Sequence, residues 1–557
     1  MKKRGTFLLI LSIFFASITF SITTKAEEKD EIVTEQHLAS DVGAEILHAG
    51  GNAVDAAVAI GYALSVVEPC CGNIGGGGFM TLHLSDGRNI FLNFRERAPM
   101  AATRTLFLDP NGKSIPGKSN RGYLAIGVPG TVLGLETALK KYGTMNRKKI
   151  MAPAIKLAKE GFLLSKADVD VFQTYSAFFK DEPNVASIFL KNGKSYQVGD
   201  RFIQTNLADT LKLIAKNGPD VFYKGIIAKK IVDASQQNGG ILTLNDFAKY
   251  TVSESSPVQC TYRGYTILSA APPSSGGVTL CEMLNILEGY PLQKFGFNSP
   301  KSIHYIVEAM HQGFYDRNNE LGDPDFVKNP TEKLISKNYA AEIRKSILPD
   351  KAHRSESIEL SKPESMHTTH YSVLDQFGNA VSVTYTLNSY FGAKVIADHT
   401  GFFLNDEMDD FTTDLNGVNQ FGLKQGEKNQ IEPGKRPLSS MAPTIIMKNS
   451  DVVMVIGSPG GPRIITATLL AILNVLDYHM SMQEAVTEKR FHYQWLPDVI
   501  YLEPNAFSPE LIHSLSNMGY QFKSEEPWGA VEAIYRDVKT KKITGVNDPR
   551  HPGGKAI

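Results

Sequence analysis

The side chains best suited to chemistry lie in residues 367–388, which read H-T-T-H-Y-S-V-L-D-Q-F-G-N-A-V-S-V-T-Y-T-L-N. Thr368 carries the hydroxyl of interest. In an intact chain it has no base of its own, and a Thr-Thr pair at a strand start is ordinary sheet sequence. Were the chain cut before Thr368, that residue would hold a hydroxyl and a free α-amine on adjacent carbons. An α-amine titrates at about 7.7–8, close to ideal for a general base near neutrality. Nucleophile and base would then be one residue, the N-terminal threonine arrangement.

The elements around Thr368 are legible. Two runs rich in β-branched and aromatic residues, 369–374 and 381–387, flank a Gly378-Asn379 turn and predict an antiparallel hairpin. Polar, Pro-containing sequence at 355–365 predicts an exposed linker before it. Strands are expected at 79–84 and 89–94 around Asp86-Gly87, with Arg95 at the mouth of the second. An arginine there is a solvated or structural cation, or a planar fork for bidentate capture of a carboxylate. A short strand at 401–404 is expected to run into N-D-E-M-D-D-F, which holds Glu407 and Asp410. Such acids form a solvated face, or they receive a ligand's ammonium group. Ser439 and Ser440 read as turn hydroxyls. Gly460-Gly461 precedes an apolar helix at 464–476, as a plain helix start or as exposed N–H groups suited to an oxyanion.

Other segments read as scaffold. Asn52 caps an Ala-rich, almost wholly apolar helix at 53–67. The run C-C-G-N-I-G-G-G-G-F at 70–79 lacks the Lys-Ser/Thr of a phosphate loop and predicts a packed turn that needs small residues and unusual dihedrals. Amphipathic helices are expected at 133–141, 151–160, 207–215 and 303–315, with no catalytic constellation in them. P-P-S-S-G-G at 272–277 is a turn before another apolar helix. In His367-x-x-His370 the odd offset sends the rings to opposite faces of a strand, and no metal is expected. Of four cysteines, Cys70 and Cys71 are adjacent, which strains a bridge between them, while Cys260 and Cys281 are free to pair in an oxidising compartment.

Lys plus Arg and Asp plus Glu each number 58, so there is no basic excess to suggest a nucleic-acid partner. Lys2, Lys3 and Arg4 followed by an apolar stretch at 7–20 predict a signal peptide over 1–26, too short for a membrane anchor. Export to a bacterial periplasm or the medium is expected.

The run T-T-H-Y-S-V-x-D-x-x-G-N-A-V-x-V-T-Y-T-L-N closely resembles the start of the small subunit of γ-glutamyltranspeptidases, which are N-terminal nucleophile hydrolases. F-R-E-R-A-P, from Phe94, resembles the family's F-R-E-x-A-P, and the similarity extends over nearly the whole chain after residue 30. The resemblance implies an α+β fold, a four-layer αββα sandwich. It implies self-cleavage between His367 and Thr368, giving a large subunit (27–367) and a small catalytic subunit (368–557). The implied activity is transfer of the γ-glutamyl group of glutathione or related compounds to water or to amino acid and peptide acceptors, without cofactor or metal. Thr368 would be the nucleophile, Gly460 and Gly461 the oxyanion donors and Thr386 an orienting hydroxyl. Arg95, Ser439 and Ser440 would bind the substrate α-carboxylate, and Glu407, Asp410 and Asn388 its amino group. Glu407 is Gln in some relatives. The segment between Asp410 and Lys435 matches a lid in many bacterial relatives, whose Tyr hydrogen-bonds the counterpart of Asn388. Phe421 stands there in this chain, which implies a looser lid held by packing alone. R-F-H-Y-Q-W-L-P-D at 490–498 and the 547–556 segment read as structural. A β-lactam side-chain acylase, a γ-polyglutamate-processing transferase and a non-catalytic exported binding protein on the same fold are the alternatives.

Overall fold

The computed structural model describes residues 29–355 and 368–557. The expected signal peptide, His367 and nearly all of the expected linker lie outside them. Two antiparallel sheets face each other. The first has seven strands in the order Lys555–Ala556, Glu31–Thr34, Thr369–Leu374, Ala380–Thr386, Gly77–His83, Asn89–Asn93, Ser253–Ser255. The second has six, Ile543–Val546, Glu532–Arg536, Asp451–Gly457, Thr444–Lys448, Tyr265–Ser269, Val258–Tyr262. Side chains of the first sheet hydrogen-bond backbone of the second: Ser372 Oγ donates to Glu532 O (3.0 Å) and Ser382 Oγ to Ile456 O (3.2 Å). Between the sheets lie apolar side chains such as Leu374, Ala380, Ile445 and Val455.

Helices cover both outer faces, which completes the αββα sandwich. The Ala53–Val67 helix is buried along its whole length against the Thr369–Leu374 and Ala380–Thr386 strands, and Tyr385 Oη donates to Gly61 O at 2.9 Å. Its Asn52 cap accepts from Val54 N and Asp55 N, and Asn52 N donates in turn to Asp55 Oδ2, a full capping box. Asp55, the charge that interrupts this apolar helix, also accepts from Thr144 and Met145. Helices Gly276–Leu287 and Arg463–Leu476 back the second sheet, and Pro300–Glu320 packs outside the former. A disulfide joins Cys260 to Cys281; Cys70 and Cys71 are buried free thiols. No helix among the described residues is long and apolar enough to cross a membrane.

Two expectations need correction. The glycines at 75–78 are required by close approach rather than by unusual dihedrals, since none has a positive φ. A Cβ on Gly76 would stand 2.0 Å from Thr386 O, and one on Gly75 2.1 Å from Phe403 O. Residues 401–404 form no strand. Gly401 has φ of 82° and Phe402 lies in a bend, and Leu404 bonds the loop residues Ala393 and Val395 and joins no sheet.

Candidate active site

Strand register brings the reactive hydroxyl to the head of a central strand. The hairpin pairs Thr369 with Tyr385, so Thr368 falls opposite Thr386, and Thr368 Oγ1 donates to Thr386 Oγ1 at 3.2 Å. Thr386 Oγ1 also accepts from Asn388 N (2.9 Å). Asn388 has φ of 83°, the left-handed region that asparagine tolerates better than most residues. Its Nδ2 donates to Asp406 O at 3.0 Å, tying the end of the hairpin to the acidic segment. Asn405 ties that segment to the glycine run through Gly75 O (2.9 Å) and Gly127 O (2.8 Å).

The next two residues of the strand are gripped from behind. Thr369 Oγ1 donates to Glu68 Oε2 (2.8 Å), and His370 N to Glu35 Oε1 (2.8 Å). His370 sits between Thr384 Oγ1 (2.8 Å) and Ser372 Oγ (3.1 Å), and burial pulls its imidazole down to about 3, so it is neutral.

Arg95 is fully buried. Its Nη1 donates to Glu407, its Nη2 to Asp410 and its Nε to Pro437 O. Burial works against the charge, but Glu407, Asp410 and Glu96 outweigh it and hold the guanidinium above its usual pKa. Burial pushes Glu96 up to about 7 against the pull of Arg95. Burial also raises Glu407 well above the carboxylate range, with Glu96 and Asp410 adding to it. Glu96 and Glu407, crowded around one cation, are thus substantially protonated at neutral pH. Asp410 alone of the three acids is partly open, with its side chain 13% exposed.

The 272–277 turn supports the two serines. Ser275 N and Oγ both donate to Ser439 O, and Ser439 N donates to Pro273 O. Ser439 Oγ accepts from Met441 N (3.1 Å), and Ser440 Oγ accepts from Arg317 Nη2 (2.9 Å). Gly460 and Gly461 have φ of 128° and 56°, and their carbonyls receive the first N–H groups of the Arg463–Leu476 helix. Those conformations favour glycine.

One pocket collects these groups. It is lined by Thr368, Thr386, Asn388, Arg95, Glu407, Asp410, Ser439, Ser440 and Gly461. Gly460 lies beside it, outside the lining. Phe421 and Leu423 close one wall, and Arg317 was not foreseen among the lining residues. Its helix reads as amphipathic scaffold, and nothing in Q-G-F-Y-D-R-N-N-E singles the arginine out.

The segment expected to form a lid is held by more than packing. Phe421 is buried and makes no side-chain hydrogen bond, but packing does not act alone. Asp409 accepts from Gln420 N (3.1 Å), and Gln494 Nε2 donates to Phe421 O and Gly422 O (3.3 Å each). Gln494 is oriented by His492, which bonds its Oε1 at 2.8 Å. The 490–498 segment therefore braces residues 421 and 422.

Two facing antiparallel sheets between helical layers, with a threonine hydroxyl heading a central strand into a polar pocket, define an N-terminal nucleophile hydrolase. The gamma-glutamyltranspeptidase family profile matches residues 39–557. A glutathione hydrolase proenzyme of Pseudomonas sp. (strain A14) is 52% identical over 95% of this chain and 94% of its own. Another from Escherichia coli (strain K12) is 45% identical over 92% and 89%. Among solved structures, a cephalosporin acylase from Bacillus halodurans superposes with a TM-score of 0.84 at 26% identity, covering 98% of this chain and 99% of that one. The chain belongs to the gamma-glutamyltranspeptidase family.

Proposed function

We propose that the chain is an exported, self-processing γ-glutamyltransferase and glutathione hydrolase. In the precursor, Thr368 Oγ1 attacks the carbonyl carbon of His367, and the peptide bond gives way to an ester as the nitrogen leaves as an amine. Water hydrolyses the ester, which leaves a large subunit ending at His367 and a small one beginning with the free α-amine of Thr368.

In the mature enzyme that amine takes the proton of Thr368 Oγ1 as the oxygen attacks the γ-carbonyl of the donor. Gly460 and Gly461 N–H groups receive the oxyanion. The amine side of the donor leaves with the proton, and a γ-glutamyl ester remains on Thr368. Water hydrolyses it, or an amino acid or peptide amine takes the acyl group. Thr386 orients the hydroxyl. The donor's α-carboxylate meets Arg95, Ser439 and Ser440, and its ammonium meets Asp410, Glu407 and Asn388. A zwitterion suits this pocket, because it inserts into the Arg95–acid cluster with no net change of charge.

The observation that carries the reading is the convergence of nine of the ten residues named from sequence on one pocket beside the Thr368 hydroxyl. The test is intact mass and N-terminal sequencing of the exported protein beside Thr368→Ala. Two chains, the smaller beginning at Thr368, with the variant uncut and inactive on a γ-glutamyl anilide, are expected. A single chain in both overturns the proposal. The likeness to a cephalosporin acylase supports a second reading, hydrolysis of a glutaryl amide. Paired acids and Arg95 favour an α-amino acid head group. Activity on a glutaryl anilide with none on a γ-glutamyl anilide would reverse that order.

A further inference from the structure

Five arginines among the described residues are buried: Arg95, Arg317, Arg436, Arg463 and Arg490. Four have a carboxylate partner. Arg95 pairs with Glu407 and Asp410, Arg436 with Asp325, Arg463 with Glu525 and Arg490 with Asp548. Arg317, on the Pro300–Glu320 helix and 2% exposed, has no ion pair among the described residues. Its contacts are neutral acceptors: Nη1 meets Asn318 Oδ1 (2.7 Å) and Gln425 Oε1 (3.0 Å), and Nη2 meets Ser440 Oγ (2.9 Å). Its Nε is buried without a hydrogen-bond partner.

A buried cation that lacks a counter-ion is costly, by several kcal/mol in real proteins. Burial pulls this guanidinium down to about 10, with Arg95 adding to that and Asp410 opposing it, so at neutral pH it stays charged. A fold that keeps such a group, on the wall of a reaction pocket, has a place for an anion.

The bond to Ser440 sets a direction. A guanidinium only donates, so Ser440 Oγ is the acceptor and its own hydrogen must point elsewhere. Ser439 is in the same state, since its Oγ accepts from Met441 N. Two hydroxyl hydrogens are thus left for an acceptor in the pocket, one of them polarised by a charge behind it.

We propose that Arg317 is a specificity-determining positioning residue for the donor's α-carboxylate: it fixes Ser440 as a hydrogen-bond donor and, opposite Arg95, supplies the second positive charge of the carboxylate subsite. The proposal deepens the γ-glutamyl reading and rests on it. Arg95 is already occupied by acids on the same wall, so a carboxylate that approaches it alone competes with Glu407 and Asp410. Arg317 has no such competitor.

The test compares Arg317→Gln and Arg317→Lys with the parent on three anilides. The γ-glutamyl anilide has both head groups, the glutaryl anilide lacks the ammonium and the 4-aminobutyryl anilide lacks the carboxylate. In Arg317→Gln, KM is expected to rise about 30-fold on the γ-glutamyl anilide, in line with the loss of a charge-assisted bond, while kcat changes little. Any turnover of the glutaryl anilide should fall in proportion, and that of the 4-aminobutyryl anilide should hold. Arg317→Lys should lie between. Equal losses on all donors, or none on the γ-glutamyl anilide, overturn the proposal. A parent enzyme inactive on the γ-glutamyl anilide overturns the underlying reading instead. If Arg317→Gln fails to mature into two chains, Arg317→Lys with Ser440→Ala decides. Non-additive KM effects are expected in the double variant, and additive ones count against coupling through Ser440.

Discussion

Thr368 and Thr386 face each other across neighbouring strands, with the Thr368 hydroxyl donating to that of Thr386 at 3.2 Å. Because Thr386 Oγ1 also accepts from Asn388 N, its position is fixed by backbone rather than by rotamer choice alone. Thr386→Val keeps shape and burial but removes the acceptor. It should lower kcat by about 10- to 100-fold with KM nearly unchanged, the range of a lost hydrogen bond to a reacting group. Thr386→Ser should retain most activity. Steady-state kinetics on matured protein, with cleavage checked by mass, tests this. A large KM effect in the valine variant would place Thr386 in binding instead.

The acids around Arg95 differ in what they carry. Burial and their mutual proximity keep Glu96 and Glu407 high, so at neutral pH this pair is substantially protonated. Glu407→Gln therefore removes little charge and should stay within about 10-fold of the parent kcat/KM. Asp410→Asn removes the partly open carboxylate that a substrate ammonium reaches first, and should cost about 100-fold or more. Kinetics on a γ-glutamyl anilide decides; equal losses would mean that both acids are charged in the resting pocket.

Local signals and long-range placement were legible to different degrees. The hairpin, the Asn52 cap and the helix after Gly461 follow from residues close in sequence, and each is found within a residue or two of its expected limits. Residues 401–404 show where such reasoning stops. Their side chains are β-prone, but only the folded chain determines that Leu404 bonds loop residues 393 and 395 instead of a strand. Arg317 failed for a related reason. One polar residue on a helix face is ordinary, and its meaning comes from Ser440, 123 residues away. The acid cluster was visible as composition, but that Arg95, just past a strand end and 312 residues before Glu407, would pair with it was not.

The wall at Phe421 lacks a hydroxyl but gains a brace from Gln494. Phe421→Tyr adds a group that can reach into the pocket it shares with Asn388, and should shift the ratio of transfer to hydrolysis while leaving maturation intact. Gln494→Ala frees the Phe421 and Gly422 carbonyls. It should raise acceptor KM several-fold through a more open segment, with stability reduced by about 1 kcal/mol. Product ratios with and without an acceptor dipeptide measure both. Unchanged ratios in both variants would mean that this wall does not govern acceptor access.

Glu68 gives the fold a pH dependence separate from catalysis. Its Oε2 accepts from Thr369, and Oε1 lies 3.6 Å from His551 Nε2. Burial pushes the carboxyl up to about 8, with the Thr369 bond opposing and Asp168 adding. In an unfolded chain a glutamate titrates near about 4.3. Folding therefore takes up a proton between those values, and stability falls as pH rises through the window. Glu35 and Glu532, buried nearby, are also held high, mainly by burial, and push in the same direction. His551 is pulled down by burial and pushes the other way, since its stabilisation is lost as pH falls. Glu68→Gln keeps an acceptor for Thr369 and removes only its own titration. Denaturant midpoints from about pH 5 to about pH 9 should show the parent losing stability relative to this variant as pH rises. The neighbouring groups are common to both proteins, so they largely cancel in the comparison. A difference that does not vary with pH would mean that Glu68 stays ionised in the folded protein, with His551 as its charged partner.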